Sequence, residues 1–98
     1  MIRGTTPTHI FNIPFDTTAV DKVKITYCQN GEEVLSKKDC KLDGKTISVT
    51  LTQEDTFLFD HNKDVEIQIR VLTLGGQVLA NVPIKVGVSK CLDNEVLV

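Results

Sequence analysis

The chain lacks the residues that mark disulfide-linked, nucleic-acid-binding and membrane-spanning proteins. Its three cysteines are an odd number and form no Cys-x-x-Cys or Cys-x-x-His arrangement, whereas a disulfide framework has an even number at short spacings. Eleven basic residues against thirteen acidic ones leave no basic surface for nucleic acid or anionic lipid. No secretory h-region and no apolar run near ~20 residues is present. We therefore expect reduced thiols, cytoplasmic synthesis, and neither nucleic acid nor membrane as partner.

Motifs for catalysis are also missing. The two histidines, His9 and His61, have no nucleophile in a motif beside them, and no serine lies in a Gly-x-Ser-x-Gly context. Cys28 lies with Lys24 and Thr26 on the predicted polar face of its strand, so the sequence leaves open whether it is a reactive thiol or a small residue filling space on a strand. We expect no enzyme, no catalytic residue and no cofactor.

One segment has the opening of a calcium loop. Asp60, Asn62 and Asp64 have the Asp-x-Asn-x-Asp spacing whose oxygens can converge on a hard cation. The pattern then fails, because Val65 stands where the loop needs glycine and Val71 where it needs glutamate. Asp and Asn also form ordinary turns, which is the alternative interpretation of this segment.

The chain does have a clear alternation of apolar and polar residues with period two. It is clearest at 23–27, 47–51, 65–71 and 78–88, and charged or polar residues fall between the apolar positions of 23–27 and 65–71. This pattern is typical of half-buried antiparallel strands. The predicted core is listed here: Phe11, Ile13, Val23, Ile25, Tyr27, Ile47, Val49, Leu51, Phe57, Ile67, Ile69, Val71, Val86 and Val88.

Turn residues divide these strands. Asn-Gly, Asp-Gly and Gly-Gly pairs within 29–32, 42–45 and 74–77 predict three hairpins. Pro83 cannot donate a ladder hydrogen bond, so it predicts an edge position or a bulge. Only 52–59 breaks the alternation, and Thr52 with Asp55 resembles a capping box, which predicts one helical turn between strands of opposite sheets. The fold expected for 1–98 is a single all-β, immunoglobulin-like, two-sheet antiparallel sandwich of about seven strands.

The chain departs from an antibody-type domain at the positions that define one. The family's Asp-x-Ala/Gly-x-Tyr-x-Cys pattern would fall on Asp55, Phe57, Phe59 and His61. Phe59 has no hydroxyl for a tyrosine corner, His61 replaces the cysteine, and the chain contains no tryptophan. The sequence therefore predicts the sandwich architecture without membership of that family.

The two ends of the chain are the candidate contact segments. Polar Thr5, Thr6, Pro7 and Thr8 lead from an arm at 1–8 into a first strand interrupted by Pro14, which is typical of a sheet edge. The arm either stays with its own domain or pairs with a neighbouring subunit by strand addition. The tail at 89–98 ends in Val96, Leu97 and Val98, an apolar end that we expect to dock.

Three longer stretches carry a resemblance. RGTTPTHIFNIPFDTTAVDKVKITYCQNGEEVLSKK, ISVTLTQEDTFLF and VEIQIRVLTLGGQVLA resemble small prophage-encoded proteins of Gram-positive bacteria. The genes of such proteins lie among phage structural genes, so the resemblance implies synthesis in the bacterial host cytoplasm and a place in a virion or in its assembly. It transfers no catalytic or ligand residue.

The leading hypothesis is a non-enzymatic phage structural protein of a tail or baseplate-like assembly. It would bind itself or other phage structural proteins through sheet edges, and we expect an oligomer. The alternative is a binding module that recognises a ligand or cell-surface polymer through loops 29–32, 60–64 and 74–77. These loops contain no aromatic residue, although aromatic rings are common in recognition sites.

Overall fold

The computed structural model describes all of residues 1–98 as eight strands and two short helical segments. The strands are β1 (Thr8–Asn12), β2 (Val20–Gln29), β3 (Glu32–Lys37), β4 (Lys41–Asp43), β5 (Thr46–Thr50), β6 (Val65–Thr73), β7 (Val78–Ala80) and β8 (Ile84–Val86). A 3-10 turn at Thr17–Ala19 precedes β2, and helix α1 (Gln53–Phe57) lies between β5 and β6.

The strands form two antiparallel sheets, which confirms the all-β sandwich prediction. The first sheet has three strands in the order β1-β5-β4, and the second has the order β3-β2-β6-β7, with β8 pairing with another part of β6. The chain changes sheet between β1 and β2, between β3 and β4, and through α1. These neighbours and crossings are those of strands B, E and D in one sheet and C′, C, F and G in the other of an immunoglobulin-type sandwich.

The predicted hairpins are present. Asn30 and Gly31 have φ angles of 53° and 77°, and two successive positive φ angles are what a type I′ turn between antiparallel strands requires. The turn joins β2 to β3. The other two dipeptides join β4 to β5 and β6 to β7.

Ten apolar residues from both sheets are buried between them: Ile25, Tyr27, Ile47, Val49, Leu51, Phe59, Val65, Ile67, Ile69 and Val71. The prediction was wrong about which phenylalanine after β5 enters the core. Phe59 is 1% exposed, and its ring centroid lies 5.7 Å from that of Tyr27. Phe57 is only half-buried, because it ends α1 and its ring lies under the Arg3 guanidinium at 5.6 Å. Phe11, Ile13, Val23, Val86 and Val88 are half-buried at the margin of the core.

Helix α1 begins at the predicted capping box. The Thr52 N–H donates to Asp55 Oδ2 at 2.9 Å, and the Asp55 N–H donates to Thr52 Oγ1 at 3.1 Å. Lys37 Nζ of β3 lies 2.6 Å from the same Asp55 oxygen. Burial raises the pKa of Asp55, but the Lys37 ammonium and the Thr52 hydrogen bonds outweigh it and hold the pKa below its ordinary value. The helical turn is thereby tied to the second sheet.

Candidate functional site

The N-terminal arm lies along its own domain. Ile2 forms a parallel bridge with Ser89, whose N–H donates to Met1 O at 2.8 Å and whose C=O accepts from the Arg3 N–H at 3.0 Å. The protonated N-terminus donates to Gly87 O at 2.8 Å. The first residues of the arm therefore satisfy their backbone groups within the domain.

Thr56 holds the next part of the arm, and the sequence analysis missed it. This side chain is fully buried on α1. Its Oγ1 accepts from the Gly4 N–H and donates to Thr5 O, each at 2.9 Å. Gly4 has a φ of +79°, and a Cβ there would lie 2.6 Å from Phe57 Cζ, so the close approach needs glycine. A lone threonine in a helical turn carries no pattern that would reveal this contact.

The four predicted contact residues of the arm differ in exposure. The side chains of Thr5, Thr6 and Thr8 are exposed and that of Pro7 is half-buried. Pro7 O accepts from the Leu51 N–H at 2.9 Å, which places the end of the arm beside β5. The arm thus offers side chains at the surface while its backbone is fixed at several points.

The tail meets the same helical turn. The Gln53 side chain donates from Nε2 to Leu97 O at 2.7 Å and accepts at Oε1 from the Leu97 N–H at 2.8 Å. Val96 is half-buried, whereas Leu97 and Val98 remain exposed. The structure therefore brings both predicted contact segments to α1.

The outer edge of β1 is the most distinctive surface of the molecule. Leu51 N–H donates to Pro7 O and Ile13 N–H donates to Lys45 O, each at 2.9 Å. Along an antiparallel ladder, every second residue of a strand directs its backbone groups to the same neighbour. These two bonds therefore show that the odd-numbered residues of β1 face β5. The backbone N–H and C=O groups of Thr8, Ile10 and Asn12 point away from β5, and no strand lies on that side. The Ile10 side chain is 65% exposed.

The other edges carry features that oppose pairing with another chain. Strand β3 carries Glu32 and Glu33, and its register with β2 shifts at a bulge. Strand β4 has only three residues, of which Lys41 and Asp43 are charged. The last edge is split into β7 and β8 around Pro83, as that proline predicted. Charge, bulges, proline and short length are the usual protections of sheet edges, and β1, with the sequence THIFN between Pro7 and Pro14, has none of them within the strand.

A groove of about 350 Å³ borders the end of β1. Its lining is mostly apolar and includes Ile13, Phe15, Ile69, Val71 and Leu79. The groove separates the end of β1 from β7, so the free edge continues into an apolar depression between the two sheets.

The candidate calcium ligands lie in a turn that their own side chains stabilise. Asp60 Oδ1 accepts from the Asn62 N–H at 3.0 Å, and this bond holds the pKa of Asp60 below its ordinary value. Asp60 Oδ2 faces Lys63 Nζ at 3.8 Å. Asp64 lies near Gly87, because its Oδ1 is 4.0 Å from the position that a Cβ on Gly87 would occupy. The geometry therefore matches the alternative interpretation, a turn rich in Asp and Asn.

The three loops of the alternative hypothesis do not converge. The Gln29 side chain donates to Asp60 O at 2.7 Å and to Lys63 O at 3.1 Å, which joins loops 29–32 and 60–64. Loop 74–77 follows the other end of β6, and nine strand residues span roughly 27 Å at ~3.4 Å per step. A single ligand-sized site cannot include all three loops.

Burial shifts the pKa values of Cys28, His9 and Tyr27 towards their neutral forms. Burial raises the pKa of the Cys28 thiol, and Glu33 and Glu66 add to this effect, which disfavours a reactive thiolate. His9 Nδ1 lies 2.7 Å from Tyr27 Oη on the inner side of β1. Burial lowers the pKa of His9 and raises that of Tyr27. The pair satisfies two polar groups at the border of the core.

Neither helical segment has the length or apolar character needed to cross a membrane. No protein-family model, curated protein or solved structure matches the chain.

Proposed function

We propose that this chain is a non-enzymatic phage structural protein that works through protein–protein contacts in a tail or baseplate-like assembly. The observation that carries the contact role is the free β1 edge, where Thr8, Ile10 and Asn12 present unpaired backbone groups. A neutral, continuous edge is a template for a strand from another chain. The phage context rests on the resemblance of the three stretches quoted above.

The arrangement of the remaining surface supports a structural role. Arm, tail and α1 are joined by the side chains of Gln53 and Thr56, so the segments with exposed apolar residues are held in place. Ile2 of the arm and Leu58, which follows α1, are exposed at 51% and 57%. Fixed apolar side chains lose little freedom on binding, which favours association.

The alternative, a loop-based binding module, gains no support from the geometry. Its loops lie at opposite ends of β6 and contain no aromatic residue. A second depression, of about 430 Å³, is bordered instead by β2, β6 and the segment after β3, and it is open to solvent. Lys24, on its rim, faces Glu33 at 3.9 Å.

Quantitative mass spectrometry of purified phage particles tests the proposal. We expect this chain in particles induced from a lysogenic host, at a copy number that is roughly a multiple of three or of six, as in a ring of three-fold or six-fold symmetry. A matched culture with the gene deleted is the control for co-purifying host protein. Finding the chain only in the lysate, while intact particles lack it, would overturn the proposed function.

A further inference from the structure

We infer that two copies of this chain pair through their β1 edges, antiparallel and about a two-fold axis at Ile10. The pairing rests on the proposed function, since it specifies one contact by which such a protein binds within an assembly. It joins the three-stranded sheets of both copies into one continuous sheet. A two-fold contact of this kind is closed, because each copy uses the same surface.

The register follows from the phase of the β1–β5 ladder. Only Thr8, Ile10 and Asn12 direct both backbone groups to the free side. Opposite residues in a hydrogen-bonded antiparallel pair exchange both bonds. With Ile10 opposite its copy, Thr8 falls opposite Asn12 and all outward groups are used. A two-fold axis at Thr8 or at Asn12 would leave outward groups of β1 unpaired.

The side chains around the axis favour the same arrangement. Strand β1 carries no charge, and the β5 residues opposite its outward-facing positions are the neutral Thr46, Ser48 and Thr50. The pairing therefore buries no charged group, which would be costly to desolvate. The Ile10 side chain, 65% exposed in the single chain, is covered by its copy. Pairing of two β3 edges would instead involve Glu32 and Glu33 beside a bulge.

The antiparallel direction also places the arm of each copy. Residues before Thr8 in one chain run past Asn12 and towards Ile13 in the other, where the apolar groove begins. The half-buried Pro7 and the exposed Thr6 of the copy therefore come alongside the groove. The arm takes part in the contact without leaving its own domain.

Disulfide trapping tests the register. The single variants Ile10→Cys, Thr8→Cys and Asn12→Cys are oxidised under mild conditions, and peptide mass spectrometry identifies which cysteines are joined. We expect an intermolecular 10–10 disulfide, because opposite Cα atoms lie ~5.5 Å apart, within disulfide range. Thr8→Cys and Asn12→Cys alone should fail to join to their own copies, whereas their equimolar mixture should form an 8–12 disulfide. Equal trapping at all three positions would overturn the register.

Sedimentation equilibrium tests the dimer itself. Because one strand pair covers far less than a standard ~1,600 Å² interface, we expect dissociation constants between about 1 μM and 1 mM. Ile10→Lys and Ile10→Pro should raise the constant at least ~10-fold. Val82→Lys, at another highly exposed apolar position, should leave it unchanged. A wild-type chain that stays monomeric at about 1 mM, or a dimer unaffected by both Ile10 variants, would overturn the inference.

The two proposals fail separately. A monomer that is nevertheless present in phage particles would refute the β1 pairing and leave the proposed function standing. A β1-linked dimer that is absent from particles would refute the proposed function and leave the pairing standing.

Discussion

The β1 edge and the β7–β8 edge border the same groove, but β1 is continuous whereas the other edge is interrupted between β7 and β8. At the β7–β8 edge the chain uses its own side chains, because Asn81 Oδ1 accepts from the Ile69 N–H at 2.8 Å and Gln68 Nε2 donates to Asn81 O at 2.9 Å. At the β1 edge, Thr8, Ile10 and Asn12 leave their outward groups open to another chain. One sandwich thus contains an edge whose gap is sealed by side chains and a continuous edge that is available, and function is expected at the available edge.

The largest expected effect is a difference in unfolding free energy between proline substitutions at two adjacent positions of β1. Phe11→Pro removes an N–H that pairs with β5, so we expect a loss of at least ~3 kcal/mol in unfolding free energy. Ile10→Pro removes an N–H that faces the free side, and its cost should stay below ~1 kcal/mol. Urea unfolding measures both.

The alanine variants Phe11→Ala and Ile10→Ala are the controls for the lost side chains. If proline costs the same relative to alanine at both positions, the assigned phase of the ladder is wrong.

The sealed edge should be the more sensitive of the two to loss of an asparagine. Asn81→Ala leaves the Ile69 N–H of the central strand β6 without its partner, and we expect a loss of about 2 kcal/mol. Asn12→Ala, at the open edge, should change the unfolding free energy by less than ~0.5 kcal/mol. Thermal and urea unfolding of the two variants provide the measurement, and equal losses would contradict the distinction between the edges.

The β3 edge differs from the β1 edge in carrying charged residues, and Lys37 of β3 forms an ion pair whose contribution to stability can be measured. Its ion pair with Asp55 has side chains only 18% and 15% exposed, so Lys37→Met should cost about 1 kcal/mol at neutral pH. The Asp55 pKa lies below its ordinary value, so this stabilisation is present above that value and disappears as the pH falls through the folded-state pKa. Urea unfolding at pH 7 and at pH 3 measures this, and a difference that persists unchanged at pH 3 would contradict the role of the pair.

The smallest effect concerns the inner side of β1. Burial lowers the pKa of His9 from its ordinary 6.5, so below that pH the unfolded chain binds a proton that the folded chain does not. Stability should therefore fall as the pH drops from about 7 through 6.5 and down to the lowered folded-state pKa. His9→Gln should flatten this part of the profile in urea unfolding. An unchanged slope would show that His9 does not cause it.

The sequence predicted what is encoded locally. Alternation identified β2, β5 and β6, and the Asn-Gly, Asp-Gly and Gly-Gly pairs located the hairpins, because backbone geometry at these turns depends on the turn residues themselves. Pro14 and the threonines before β1 indicated an edge strand, and β1 does end its sheet. The capping box of Thr52 and Asp55 was likewise visible.

What the sequence could not predict depends on contacts between distant residues. Pro83 predicted an edge position or a bulge within 78–88, but it gave no sign that Asn81 bonds to Ile69 between two separate strands. The choice of Phe59 over Phe57 depends on where α1 ends. The role of Thr56 depends on Gly4, which is 52 residues away. Alternation assigns faces and gives no information on neighbours, so the free side of β1 became visible only with the register.

Amide hydrogen exchange of β1, measured by NMR at low and at high protein concentration, tests the account most directly. In dilute protein we predict fast exchange at Thr8, Ile10 and Asn12 and protection at the intervening His9 and Phe11. At high concentration the three fast amides should become protected, while amides at the β7–β8 edge stay unchanged. Uniform protection along β1 in dilute protein, or fast exchange of the Ile10 amide at every concentration, would contradict an open edge that binds a second copy.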